Sequence, residues 1–139
     1  MKKYTYSVTL SIRHETVTPA EITDGLGLVP THAGSKGATF VTQSGRELDR
    51  VNERNFWRLE LADKRSAESS LLEDFLSSQN DQLWSSKTYL NYLRETGGKL
   101  EYFIGWFSGD CSMILTLDPD FLRRTSELGI SVGLHAYPA

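Results

Sequence analysis

The sequence predicts an α+β domain: a mainly antiparallel sheet of about five strands with helices packed on one face. Three observations carry that prediction. Residues 4–13 alternate, with Tyr6, Val8, Leu10 and Ile12 on one side and Thr5, Ser7, Thr9, Ser11 and Arg13 on the other. That is the period-two signature of a half-buried strand. The stretch Lys99–Leu117 crowds aromatic and aliphatic residues around a Ser-Gly-Asp-Cys break, which reads as a buried hairpin at the centre of the sheet. Apolar residues elsewhere recur at helical spacing behind recognisable caps.

Taken in order, the first strand gives way to Thr18-Pro19, with Thr18 as N-cap, Pro19 at the first helical position and Glu21 completing a capping box. Gly25 weakens this short helix and Gly27 stops it. Residues 29–37 (VPTHAGSKG) read as a loop, and Phe40-Val41-Thr42 as an edge strand turning at Gln43–Arg46. Asn55–Leu61 recovers alternation, Trp57, Leu59 and Leu61 inward and Arg58 and Glu60 outward. Ser66 is placed to cap a helix that presents Leu72, Phe75, Leu76, Gln79 and Leu83, with a break near Asn80-Asp81. A second helical segment, about Ser86–Glu95, presents Tyr89, Leu90 and Leu93 before Gly97-Gly98 ends it. After the hairpin, Asp118-Pro119 opens a helix with Phe121, Leu122, Thr125 and Leu128 toward the core. A last strand follows, with Ile130, Val132, Leu134 and Ala136 on one side and Ser131, Gly133, His135 and Tyr137 on the other.

Residues 7–28 and 112–130 echo one another: strand, cap-Pro, short helix, then Leu26-Gly27-Leu28 or Leu128-Gly129-Ile130. Two such units facing across one sheet make a ferredoxin-like fold with an internal pseudo-repeat.

At 139 residues the chain predicts a single domain, residues 1–139, with room for one core. A net charge of −3 argues against a duplex nucleic-acid partner, which needs clustered Lys and Arg. The lone Cys111 makes an intrachain disulfide impossible and suits a reducing compartment. Polar residues interrupt the first strand too often for a signal peptide, and no stretch approaches a membrane span. The expectation is a soluble, cytoplasmic protein.

With those residues in view, the chain resembles a family of small, mostly bacterial proteins known only as domain of unknown function 4279. The matching features are the early alternating strand, Thr18-Pro19-x-Glu21-Ile22, Leu26-Gly27-Leu28-x-Pro30-Thr31 and Lys36-Gly37. An aromatic strand opening at Phe56-Trp57, a Leu-rich helix and a final Leu-Gly-Ile strand complete the resemblance. It implies a stand-alone α+β domain and supplies no substrate, cofactor or catalytic residue. Such domains resemble those found beside secreted-toxin immunity modules, which implies an interaction role.

The residues themselves point weakly to chemistry. Cys111 follows Asp110, whose charge raises a thiol pKa, and no histidine is placed beside it, so no nucleophile is read here. His14, His32 and His135 lack metal-ligand spacing and read as surface or boundary residues. Asp118 is a helix cap, and Glu47, Asp49 and Glu53 interleave with Arg46, Arg50 and Arg54 on a solvated face. Lys99 and Phe103–Trp106 match half of an aromatic RNA-binding octamer, but Leu100, Glu101 and Tyr102 break the rest. These aromatics read as core packing on helices.

Two candidate sites remain. Gly34-Ser35-Lys36-Gly37 carries the ingredients of an anion nest, giving Thr31, His32, Ser35 and Lys36 as ligand-binding candidates. Tyr89, Tyr92 and Tyr137 are the candidate partner anchors, since exposed tyrosines favour binding hot spots. The function expected first is a non-catalytic interaction domain, an immunity-like inhibitor of another protein. The alternative is a small-molecule or anion-binding protein, or a weakly signed enzyme, that uses the 29–37 loop. Neither reading calls for a cofactor, a metal or a membrane.

Overall fold

A computed structural model describes residues 4–109 and 112–137. Strand β1 (Thr5–His14) runs through the middle of a five-stranded sheet. On one side it pairs antiparallel with β5 (Asn55–Ser66), and on the other antiparallel with β6 (Lys99–Phe107). A short β2 (His32–Gly34) extends the sheet beyond β5, and β7 (Ile130–Tyr137) lies parallel to β6 at the far edge. The sheet order is therefore β2-β5-β1-β6-β7, and β3 (Thr39–Val41) with β4 (Glu47–Val51) forms a separate two-stranded hairpin.

The alternation read in β1 holds at every position: Tyr6, Val8, Leu10 and Ile12 are all 0% exposed. Helices α1 (Pro19–Leu26), α2 (Leu72–Leu83), α3 (Lys87–Glu95) and α4 (Pro119–Glu127) send Ile22, Leu76, Leu90 and Phe121, among others, into the same core. Fully burying one such aliphatic contributes about 1.5–3 kcal/mol, whereas an exposed ion pair contributes little. The apolar face of the sheet thus carries the fold.

Local chemistry sets most helix ends where expected. Thr18 and Glu21 form the capping box, Gly27 closes α1 at φ 68°, and Asp118 accepts from the Phe121 amide at 2.8 Å. Gly25 does more than weaken α1. A Cβ there would lie 2.2 Å from the Tyr89 ring, so its absence lets α3 approach α1 closely.

Several expectations are corrected. Residues 29–37 are not all loop, because β2 pairs His32–Gly34 with Phe56–Arg58. Ser66 ends β5, and its hydroxyl accepts from the Glu68 amide, so it does not cap the helix. Helix α2 begins at Leu72 with no side-chain cap and runs through Asn80-Asp81 before breaking into a 3₁₀ turn at Trp84–Ser86. It stays intact there because Asn80 is fully buried and hydrogen-bonded, donating to Thr125 Oγ1 and accepting from the Tyr102 hydroxyl, each at 2.8 Å.

The hairpin expected after β6 does not form. Both edges of β6 are already occupied, by β1 and β7. Residues 112–118 instead run as an irregular segment, with Met113, Leu115 and Leu117 packed on the core and Ile114 exposed. The alternation was real, but it reports an extended segment with one dry side, and a ladder also needs a free neighbour. The Asp110 and Cys111 positions lie outside the described residues. Among the described residues of the second unit, no strand precedes Pro119, so the internal echo extends only to the caps, the helices and the Leu-Gly stops.

Two core assignments also change. Leu122 is half exposed on α4, and of the apolar set on β7 only Ile130 is buried, since α4 packs beside β7 but leaves an open groove between Leu122 and Val132. His14, read as a boundary residue, is 2% exposed. Its Nδ1 accepts from the Thr16 and Val17 amides, and its Nε2–H donates to Thr96 Oγ1.

The Asn80 network yields a stability prediction. Tyr102→Phe keeps the ring but strips Asn80 Oδ1 of its donor in the core. It is expected to cost about 1–3 kcal/mol in urea unfolding, and a change near zero would show that the network is not structural.

Candidate functional site

On the face of the sheet opposite the helices, polar and charged side chains gather on a rigid base. Register brings them together. Ser11 of β1 lies opposite Arg58 on β5 and Glu101 on β6, and Thr9 lies opposite Glu60 and Phe103. Arg13 lies opposite Lys99, one pair further along the same face. The β3–β4 hairpin folds beside this face and makes a wall. His32 sets its ring 4.9 Å from Phe56 and 6.0 Å from Phe40, with Phe40 and Phe56 6.1 Å apart. The result is a groove of about 460 Å³ lined by Arg13, Arg58, Glu60, Glu101, His32 and Phe103, with Thr9, Ser11, Thr31 and Gln43 between them.

The charges in this groove are not spent on one another. Among the described residues, the ion pairs involve Lys36, Arg54, Lys87, Arg123 and Arg124, and neither Arg13 nor Arg58 takes part in one. Arg58 lies over the Phe56 ring at 5.0 Å. Burial first, and the neighbouring Arg13 charge second, hold its guanidinium below its ordinary pKa. Two cations side by side raise the local potential, the groove's Glu60 and Glu101 form no ion pair with them among the described residues, and a ligand anion between the guanidinium groups would relieve it. The Glu101 carboxylate leans toward β7: a Cβ on Gly133 would meet its Oε2 at 2.6 Å. That glycine leaves the carboxylate its room.

The sequence candidates divide between two places. Thr31 and His32 line the groove. Thr31 Oγ1 accepts from the Glu60 amide at 2.9 Å, and the His32 Nε2–H donates to the Val41 carbonyl at 2.7 Å. The imidazole is thereby clamped with Nδ1 left as its remaining polar atom. Ser35 and Lys36 do not join them. The Ser35 carbonyl accepts from Asn52 Nδ2 and the Ala38 amide, the Lys36 amide donates to Asn55 Oδ1, and the Gly37 amide donates to the Asn52 carbonyl. The Lys36 and Gly37 amides, on which an anion nest here would draw, are taken. Lys36 Nζ itself sits 2.9 Å from Glu15, whose carboxyl is held below its ordinary pKa chiefly by that hydrogen bond.

The three tyrosines do not form one surface. Tyr89 is tied to the fold, its ring over Gly25 and its hydroxyl donating to the Glu21 carbonyl at 3.1 Å. Tyr92, 49% exposed, stands 5.9 Å from it. Tyr137 belongs to the open sheet face, where it stacks on Phe107 and His135.

Arg13, Arg58, Glu60, Glu101 and Phe103 were missed as site residues. The outward positions of Arg13, Arg58 and Glu60 were legible, and antiparallel pairing of the two alternating strands would have joined them. Phe103 and Phe107 were misassigned to the core. Tyr102, Ile104 and Trp106 hold the buried face of β6, so period two places Phe103, Gly105 and Phe107 on the other. Among the described residues no group of three His, Cys, Asp or Glu side chains could hold a metal, and no helix is long and apolar enough to cross a membrane.

A model of the family described as domain of unknown function (DUF4279) matches residues 2–139. No curated protein and no solved structure gives a match.

The arrangement predicts that Lys36 is dispensable for anion recognition. Lys36→Ala should leave the thermal midpoint nearly unchanged and preserve any stabilisation by anions, as read by differential scanning fluorimetry. Loss of that stabilisation would move the site back to the 29–37 loop.

Proposed function

Since the chain belongs to the family of the domain of unknown function (DUF4279), a description that attaches no activity to it, we propose its role from geometry: it is a binding protein that holds a small anionic ligand on the open face of its sheet. The observation that supports this most is the pair Arg13 and Arg58, adjacent on one face, with no ion-pair partner among the described residues. Two like charges held together cost stability unless something compensates for them, and a bound phosphate or carboxylate does so. Guanidinium forks suit both anions by bidentate hydrogen bonding. The groove's volume of about 460 Å³ lies in the range of small-molecule sites.

A second reading, the interaction role, is favoured by β7. This edge strand carries no proline, lysine or acid, and it exposes Leu134 (48%) and Tyr137 (38%). Natural edges of that length are usually blunted by charge or proline, and a bare one can accept a strand from another protein. An immunity-like inhibitor would use such an edge.

The two readings separate by variant. In a thermal-shift screen of phosphate- and carboxylate-bearing metabolites, the first predicts several degrees of stabilisation by at least one compound. That shift is lost in Arg13→Gln/Arg58→Gln and kept in Leu134→Lys. A shift that survives the double arginine variant, or no shift across the panel, would remove it. Association with a protein of the native host that is broken by Leu134→Lys alone would support the second, and indifference to that variant would sink it.

A further inference from the structure

The open face also carries a row of stacked rings. Phe107 and Tyr137 lie 4.6 Å apart with planes 6° from parallel, His135 and Tyr137 lie 4.1 Å apart at 8°, and Phe103 lies 6.3 Å from His135 at 20°. One end is closed by a cation: Lys64 Nζ stands 5.6 Å from the Phe107 centroid. The other end is Phe103, which borders the groove that Arg13 and Arg58 line.

We propose that the groove takes a nucleoside monophosphate, whose base extends the ring row on Phe103 while its phosphate lies between Arg13 and Arg58. This rests on the anion-binding reading above and adds the ligand class. A flat, half-buried ring at the edge of a polar groove is a platform for another flat ring, and bases stack on aromatics whatever their identity. Glu60 and Glu101 narrow the choice further. Neither takes part in an ion pair among the described residues, and both would repel a phosphate unless the same ligand offers them donors. Base amino groups and ribose hydroxyls are such donors. A sugar phosphate lacks the ring, and a simple aromatic acid lacks the donors.

Isothermal titration at low ionic strength decides it, using the four common ribonucleoside 5′-monophosphates, ribose 5-phosphate and a single-stranded hexanucleotide. At least one monophosphate is expected to bind more than about fivefold more tightly than ribose 5-phosphate, the gain that one stacked base supplies. Phe103→Leu should erase that gain without weakening ribose 5-phosphate, and Arg13→Gln should weaken both. In the wild-type protein, base protons of the bound nucleotide should shift upfield in NMR, a readout that needs no variant. Equal affinity for ribose 5-phosphate and every monophosphate overturns the role of the ring and leaves the anion site standing. Absence of binding by all the phosphates overturns both. Tighter binding of the hexanucleotide than of any monophosphate overturns the choice of a free nucleotide.

Discussion

Strand β1 is the constraint on which everything else depends. Both of its edges are paired, regularly to β6 and to β5 with a bulge between Tyr6 and Thr9, so two ladders hold it in place. Its two faces then have different tasks. Tyr6, Val8, Leu10 and Ile12 disappear completely under the helices, and that burial supplies the main cohesion of the domain. Thr9, Ser11 and Arg13 are left on the other face, where no helix covers them. A one-residue slip in either ladder would exchange the two sets, so the same apolar pattern that drives folding also fixes where the polar groups stand.

That division explains why a recognition surface can be built on rigid elements here. The groove draws residues from β1, β5 and β6, from the short β2, and from the turn of the β3–β4 hairpin. The strands cannot move relative to one another without breaking ladders, and His32 locks the wall by donating to the Val41 carbonyl. Charges on such a base are preorganised, and a ligand need not gather them. Arg13 and Arg58 are the telling case. Among the described residues Lys36, Arg54, Lys87, Arg123 and Arg124 have found carboxylates, whereas Arg58 lies in the field of Arg13.

The sequence disclosed what local chemistry decides. The alternation of residues 4–13, the capping box at Thr18, the glycine stop after α1 and the Asp118 cap were all readable, because each is settled within a few neighbouring residues. What it concealed depends on partners far away in the chain. The segment 112–118 looks like a strand, yet β7, which follows it, holds the edge it would need. Val132 and Leu134 alternate like core residues, but α4 leaves an open groove beside Val132, and Leu134 stays half exposed. The site is hidden for the same reason: Arg13, Arg58 and Phe103 are neighbours only through register. The 29–37 loop looked more promising because its glycines, hydroxyl and ammonium lie together in sequence. In the fold its Lys36 and Gly37 amides donate to Asn55 Oδ1 and the Asn52 carbonyl.

The central claim is that the Arg13–Arg58 pair exists for a ligand and contributes nothing to holding the sheet together. The unfolding free energy of Arg13→Thr, measured in urea without ligand at low and high salt, tests it most directly. A side chain that only adds like charge to its neighbours should be replaceable by a good strand former at no loss, with equal or greater stability at low salt and a smaller difference at high salt. A destabilisation of more than about 1 kcal/mol that persists in high salt would make the guanidinium a structural element.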